Sequence, residues 1–306
     1  MAKSSTNKLY NYFMATRPQF LPTMVLPILL GSAVAWHQTG VFHFHLFAIA
    51  LLAGIFVSSG VNVLNDYFDF KSGADNHNPE PLTPFAGGSR MIQQQQLSPR
   101  SIFRLGTGLL IAAALLGFYL VAQTGWPLLA IGLLGIAIGV FYTSPPFAFS
   151  YRGLGEVCIG VGFGWLTVTG AYFVQTGLLF SWPVFIAGSL TALLTMSVVL
   201  VNEFPDALYD QKAGKNTLVV LMGLKGARWL FFAVLSSVFL IVWLAIQQNN
   251  LTGYHWWALL PIPLLVVIIK RLSPRELNND EMVAVVKPTI ALHSSVMALL
   301  ILGFVL

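Results

Sequence analysis

Two stretches of the chain carry the same chemistry. Val61-Asn62 is followed by Asp66, Asp69, Lys71 and Gly73, and Val201-Asn202 by Asp206, Asp210, Lys212 and Gly214, with one residue inserted between the aspartates of the later copy. Each copy closes a long apolar run and opens a polar loop. On a continuous helix Asn62, Asp66 and Asp69 stand at i, i+4 and i+7 and share a face, as Asn202, Asp206 and Asp210 do at i, i+4 and i+8. Bringing the two faces together crowds four carboxylates into a small volume, where mutual repulsion disfavours ionisation unless a divalent cation neutralises them. Oxygen-only ligands favour Mg²⁺ over zinc or copper, and Mg²⁺ usually keeps part of its shell for phosphate oxygens. Lys71 and Arg90 after the first motif, and Lys212 and Lys215 after the second, suit a diphosphate held between metals and cationic side chains. Solvation at a membrane edge accounts for any one of these acids. It gives no reason for Asn, two Asp, Lys and Gly to recur at matching offsets.

The elements that position these residues are membrane helices. Hydrophobic residues make up 56% of the chain and charged residues 9%, and apolar runs of about 20 residues, the length that spans a bilayer, recur throughout. The expected fold is all-α, a polytopic membrane helical bundle of about nine spans, roughly 19–38, 43–65, 102–122, 126–143, 154–175, 182–203, 228–247, 254–271 and 285–305. The recurring motif suggests one domain, 1–306, built from duplicated halves of roughly 19–150 and 151–285. The first 18 residues lack the apolar core and cleavage site of a signal peptide. Tyr10, Tyr12, Phe13 and Met14 beside Lys8 and Arg17 read as an interfacial segment.

Charge placement sets the orientation. All 16 basic and all 11 acidic residues fall on one side of this bundle, while opposite turns such as Gln123–Trp126 and Gln247–Asn250 carry no formal charge. By the positive-inside rule the charged side is cytoplasmic, which leaves the C-terminus outside. The net charge of +5 then needs no nucleic-acid partner, since topology and an anionic leaflet explain it. The single Cys158 excludes an internal disulfide framework and is expected to serve packing. The six His are scattered, which argues against a His-based metal site, although His293 in the last span could line a cavity.

Asn65-Asp66-x-x-Asp69 with Asp75 beyond it, and Asp206-x-x-x-Asp210, resemble the two aspartate-rich motifs of the UbiA superfamily of intramembrane aromatic prenyltransferases. The resemblance covers essentially the whole chain. The run Asn65–Asp75, then Gly87-Gly88-Ser89-Arg90 with Ile92-Gln93 and Leu97-Ser98-Pro99, then Gly153-Leu154-Gly155-Glu156 after Tyr142–Pro146, is most similar to the branch that prenylates 1,4-dihydroxy-2-naphthoate. Asn202 stands where many relatives carry Asp.

The resemblance implies an allylic polyprenyl diphosphate bound through Mg²⁺, ionised to a carbocation and captured by an aromatic acid that loses CO₂, as in menaquinone and phylloquinone synthesis. It implies metal ligands among Asp66, Asp69, Asp75, Asn202, Asp206 and Asp210, with Lys71 beside them. Diphosphate or acceptor contacts would come from Asn62, Asn65, Arg90, Asn202, Lys212 and Lys215. Tyr142 and Tyr151 would offer hydroxyls or π faces to the cation, and the loop from Pro79 to Gln96 is a candidate lid with Arg90 as its contact. It implies a bacterial inner-membrane enzyme with a cytoplasmic active site. The alternatives are another acceptor such as 4-hydroxybenzoate, as in ubiquinone synthesis, and a cation-coupled secondary transporter. A transporter usually keeps its acids near the bilayer midplane at broken helices; these lie at helix ends beside bases, and only Pro205 leans toward that class. Neither prenyl chain length nor oligomeric state is encoded in any motif.

Overall fold

The computed structural model describes residues 5–73, 82, 87–272 and 279–306. Among these the chain is nearly all helical, and the pairing of Arg152 with Asn216 is an isolated bridge outside any strand. The helices are α1 (Ser5–Ala15), α2 (Pro22–Thr39), α3 (Phe44–Ser72), α4 (Pro99–Thr124), α5 (Pro127–Val140), α6 (Gly155–Ile159), α7 (Thr167–Thr176), α8 (Trp182–Glu203), α9 (Ala207–Lys212), α10 (Leu218–Gln247), α11 (Ile262–Arg271) and α12 (Asn279–Val305). Pro22, Pro99 and Pro127 open α2, α4 and α5, where a missing N–H costs nothing. Ser98 and Ser181 cap α4 and α8 by accepting the Ser101 and Val184 N–H at 3.2 and 3.3 Å.

Seven helices among the described residues are long and apolar enough to cross a bilayer, and an eighth arises if Lys8–Phe20 and Pro22–Thr39, bent by 55°, form one span. Pro127–Val140 is apolar but only 14 residues long. The chain is therefore an integral membrane protein. The interfacial segment read from the sequence is α1, whose Leu9, Tyr10 and Phe13 are exposed. With no water to expel between helices in lipid, packing must come from close van der Waals fit. The largest core runs through α2, α8, α10 and α12, with Leu30, Leu194, Phe231 and Val285 fully enclosed.

Three local departures from regular α-helix shape the end of the bundle that carries the motifs. The second motif is not on one continuous helix: α8 stops at Glu203, Phe204-Pro205-Asp206 forms a turn, and α9 starts at Ala207. Proline cannot supply the N–H a helix interior needs, so the single face expected for Asn202, Asp206 and Asp210 is broken there. α10 begins ten residues before the expected span, at Leu218, and kinks at Gly223 (φ 66°, ψ 161°), so Lys225 and Arg228 lie on a helix rather than in a loop. Gly160–Leu166, between α6 and α7, is π-helical, and a Cβ on its Gly164 would stand 2.6 Å from the Ala192 Cβ. Backbone there lies directly on backbone.

Candidate active site

Because α3 stays helical through Ser72, Asn62, Asn65 and Asp69 all face one cavity of about 190 Å³, whereas Asp66, expected on the same face, is buried against the Ser89 N–H and does not line it. The turn at Phe204–Asp206 swings the second motif toward the same space, so that Asn202, Glu203, Asp206, Tyr209 and Asp210 line its other wall. Thr143 Oγ1 holds Asn65 by donating to Oδ1 at 2.9 Å, and Asn62 Nδ2 donates to the Thr16 carbonyl at 3.5 Å.

One cation bridges the two motifs. Lys215 Nζ lies 3.9 Å from Asp69 Oδ2 and 3.7 Å from Asp210 Oδ1, with all three side chains less than a fifth exposed. Burial works against its ammonium, but Asp69 and Asp210, helped by Tyr142 and Tyr151, outweigh it and hold its pKa well above the usual lysine value. Burial also pushes Asp210 up to about 6, with Lys215 pulling the other way. Tyr151 donates to Asp69 Oδ1 at 3.0 Å and shares a hydrogen bond of 2.7 Å with Ser72, and its pKa is raised by burial first and by Asp69 second.

The segment after the first motif closes the polar end with backbone rather than side chains. The Gly87 N–H donates to Asp206 Oδ2 and the Ser89 N–H to Asp66 Oδ2, both at 3.1 Å. Gly87 (φ 77°) and Gly88 (φ 76°) sit in the left-handed region that glycine alone enters without cost, and Arg90 (φ 61°) follows. Gly87, Gly88 and Arg90 line the cavity. Of the candidate lid, residues 79–81 and 83–86 lie outside the described residues, as does Asp75.

The structure sorts the remaining candidates. Tyr142 lines the cavity, and Tyr151 stands behind Asp69. Lys71 and Lys212 are exposed and outside the cavity lining, Lys212 lying 5.8 Å from the Tyr209 ring centroid. Two charged lining residues, Arg17 and Glu203, escaped the sequence reading. Arg17, left-handed at φ 55° and ψ 59°, rests its guanidinium 4.9 Å from the Phe20 ring centroid. Its position just before Pro18, where α1 breaks from the first span, was the available signal. Glu203 lay inside the second motif itself, between Asn202 and Pro205. His293 does not line the cavity; its Nε2 stands 3.5 Å from Thr195 Oγ1, which does.

The donor set suits a hard cation. Carboxylates and amide oxygens converge on the cavity, and buried Asn202 Oδ1 and Glu203 Oε2 have no hydrogen-bond partner. Among the described residues no three His, Cys, Asp or Glu form a ready-made metal cluster. The crowding of four carboxylates expected from the two motifs is thus not formed among the described residues, where Lys215 stands between Asp69 and Asp210.

The cavity's inner end is apolar. Ser58, Val61, Ile159 and Phe163 belong both to it and to a second space of about 230 Å³ bounded by α3, α4, α5 and α7, whose walls include Ile28, Leu128, Ile136 and Leu166. A charged chamber and a hydrocarbon groove thus lie side by side with the shared residues between them.

A helical membrane bundle with paired acidic motifs around such a chamber defines a class, the intramembrane prenyltransferases, and comparison with known proteins agrees. Residues 24–295 match the model of the UbiA prenyltransferase family, and the chain belongs to that family. It is 30% identical over 269 residues to the 1,4-dihydroxy-2-naphthoate octaprenyltransferase of Bacillus subtilis, covering 88% of this chain and 84% of that one. It is 27% identical over 289 residues to the 2-carboxy-1,4-naphthoquinone phytyltransferase of Synechocystis, covering 92% and 89%. A UbiA homolog from Archaeoglobus fulgidus bound to GPP and Mg²⁺ has the same fold, with a TM-score of 0.66 at 15% identity over 95% of this chain and 99% of that one. The protein is a prenyltransferase, and the transporter alternative is set aside.

Proposed function

We propose that the protein transfers a polyprenyl group from an allylic polyprenyl diphosphate to 1,4-dihydroxy-2-naphthoate with loss of CO₂, in menaquinone or phylloquinone biosynthesis. The observation that carries this reading is the adjacency of a chamber lined by Asp69, Asp210 and Lys215 to an apolar groove that shares Ser58, Val61, Ile159 and Phe163 with it. A diphosphate with a hydrocarbon tail has that polarity. The names of the Bacillus and Synechocystis relatives supply the acceptor class.

Asp66, Asp69, Asp206 and Asp210, with the Asn202 amide oxygen, would hold Mg²⁺, and Asp75 is a further candidate. The metal would neutralise charge developing on the leaving diphosphate. Lys215 and Arg90 add positive charge at the same end, while Lys71 and Lys212 are proposed only as approach charges outside the cavity. Val61, Ile159 and Phe163 exclude water from the ionised prenyl carbon, and Tyr142 offers it a ring face. The Gly87–Arg90 turn would act as the inner edge of a lid. We further propose nine spans, with the bent N-terminal pair and Pro127–Val140 completing the set, arranged as two duplicated halves in a bacterial inner membrane with the chamber facing the cytoplasm.

The test is purified protein with Mg²⁺, geranylgeranyl diphosphate and either 1,4-dihydroxy-2-naphthoate or 4-hydroxybenzoate, read by product mass. The expected product is the prenylated naphthoquinol lacking the carboxylate. A product that retains it, or equal turnover of 4-hydroxybenzoate, would move the protein to the other acceptor branch.

A further inference from the structure

Glu156 is fully buried, lies outside the cavity lining, and takes no part in the chemistry above. Its Oε1 accepts the backbone N–H of Leu218 at 2.6 Å. Leu218 is the first residue of α10, and Lys215 sits three residues earlier, between Asp69 and Asp210. The connecting turn is tied at two more points: the Lys215 N–H donates to the Asp210 carbonyl at 2.8 Å and the Asn216 N–H to the Tyr151 carbonyl at 3.3 Å. Tyr151 in turn bonds Asp69. The short segment 151–156 therefore grips the turn from both sides, and Glu156 is its one side-chain anchor on the far side of Lys215.

The other oxygen of Glu156, Oε2, is buried with no hydrogen-bond partner, and α6, which carries Glu156, packs against α8. Glu156 thus holds the start of α10 through one oxygen, from a helix that packs on α8. The broken stretch 204–217, which carries Asp206, Asp210 and Lys215, hangs between α8 and α10.

We infer that Glu156 is a positioning residue: by fixing the first turn of α10 relative to α8, it sets Lys215 at the distance from Asp69 and Asp210 that the diphosphate site requires. This rests on the reading of the chamber as a diphosphate site. The inference explains why a carboxylic acid is kept in a dry location with no substrate contact. A neutral amide should do as well, since glutamine keeps an oxygen for the Leu218 N–H.

The test compares Glu156→Ala, Glu156→Gln and Leu218→Pro in the full-length protein in lipid nanodiscs. Proline is tolerated at the first position of a helix, and Thr217 before it already has the extended backbone (ψ 166°) that a residue preceding proline adopts, so Leu218→Pro removes the N–H that Glu156 accepts and leaves α10 in place. The readouts are the KM for geranylgeranyl diphosphate, the KM for the aromatic acceptor, and direct Mg²⁺-dependent binding of the diphosphate. Glu156→Ala and Leu218→Pro should each raise the donor KM about tenfold or more, with the acceptor KM within about twofold, while Glu156→Gln stays within about threefold of wild type. In a Lys215→Ala background, Glu156→Ala should weaken diphosphate binding no further. Additive losses in the double variant, equal losses in Glu156→Gln and Glu156→Ala, or a wild-type donor KM in Leu218→Pro would overturn the inference. If Glu156→Ala does not fold, Leu218→Pro carries the test alone. Wild-type protein that binds the diphosphate but prenylates neither acceptor would remove the proposed reaction and leave this comparison standing.

Discussion

The backbone N–H of Gly87 donates to the Asp206 carboxylate at 3.1 Å, joining the turn after the first motif to the first aspartate of the second. With the matching bond from Ser89 to Asp66, it means that both acidic motifs are held by one stretch of main chain. An aspartate oxygen engaged by an N–H is fixed in direction before any cation arrives, which lowers the ordering a metal must impose.

Replacing Asp66, Asp69, Asp206 or Asp210 by Ala should abolish turnover while the protein stays folded, because the stabilisation lost exists mainly in the transition state. Steady-state rates beside thermal melts in the same detergent provide the check. Retention of more than about a tenth of the activity, a barrier loss below roughly 1.4 kcal/mol, would assign these acids to surface solvation.

Gly87→Ala forces a side chain into a backbone at φ 77°, at a cost of roughly 1–2 kcal/mol. The turn should relax and draw its N–H away from Asp206. The expected outcome is a several-fold rise in the donor KM with the melting temperature nearly unchanged, since the turn packs little core. An unchanged KM would detach this turn from the diphosphate site.

Gly164→Ala and Gly162→Ala should behave differently although only two residues apart. A Cβ at 164 would meet Ala192 atoms at 2.6–2.7 Å, whereas one at 162 meets only the Ile138 methyl at 3.8 Å. The first should lose about 1–3 kcal/mol by overpacking, and the second should be neutral or slightly stabilising. Thermal or denaturant unfolding in lipid nanodiscs separates them, and equal melting points would contradict the close packing of the π-helical segment on α8.

Orientation is open to chemical labelling. With Cys158 replaced by Ser, a cysteine introduced at Gln248 should react with an impermeant thiol reagent from outside intact cells, and one at Ala213 should react only after lysis. The reverse pattern would turn the bundle over and move the chamber off the cytoplasmic face.

What the sequence revealed follows from which signals are local. Asn62 and Asp69 could be placed on one face because α3 continues past them, but the same spacing put Asp66 there too, and Asp66 instead turns to the Ser89 N–H outside the cavity lining. Asp206 and Asp210 were recognised by type and repetition, but their placement depends on the Pro205 break, and a periodic pattern says nothing about how a broken helix turns. Lys71 and Lys215 look equivalent as bases following aspartates; only the tertiary fold separates an exposed helix end from a turn pressed between two motifs. Arg17 offered only the break before Pro18 as a signal, and that break does not reveal that its side chain lines the chamber. Glu156 was noticed only as part of the Gly153–Glu156 run, because its bond to the Leu218 N–H joins segments 62 residues apart in the chain.

Ser58, Val61, Ile159 and Phe163 are walls of two rooms at once, so on the proposed function a tail leaving the charged chamber would pass between them. Beyond that collar the groove is lined by side chains such as Phe118 and Leu133 that are more than half exposed on the flank of the bundle. On the proposed function, carbons past the collar meet membrane rather than protein, so the enzyme senses the headgroup and the first few isoprene units and is indifferent to total length. The chain delivered is then a property of whichever synthase supplies the diphosphate, and a finished quinol can drift sideways into the bilayer without its tail ever being wetted.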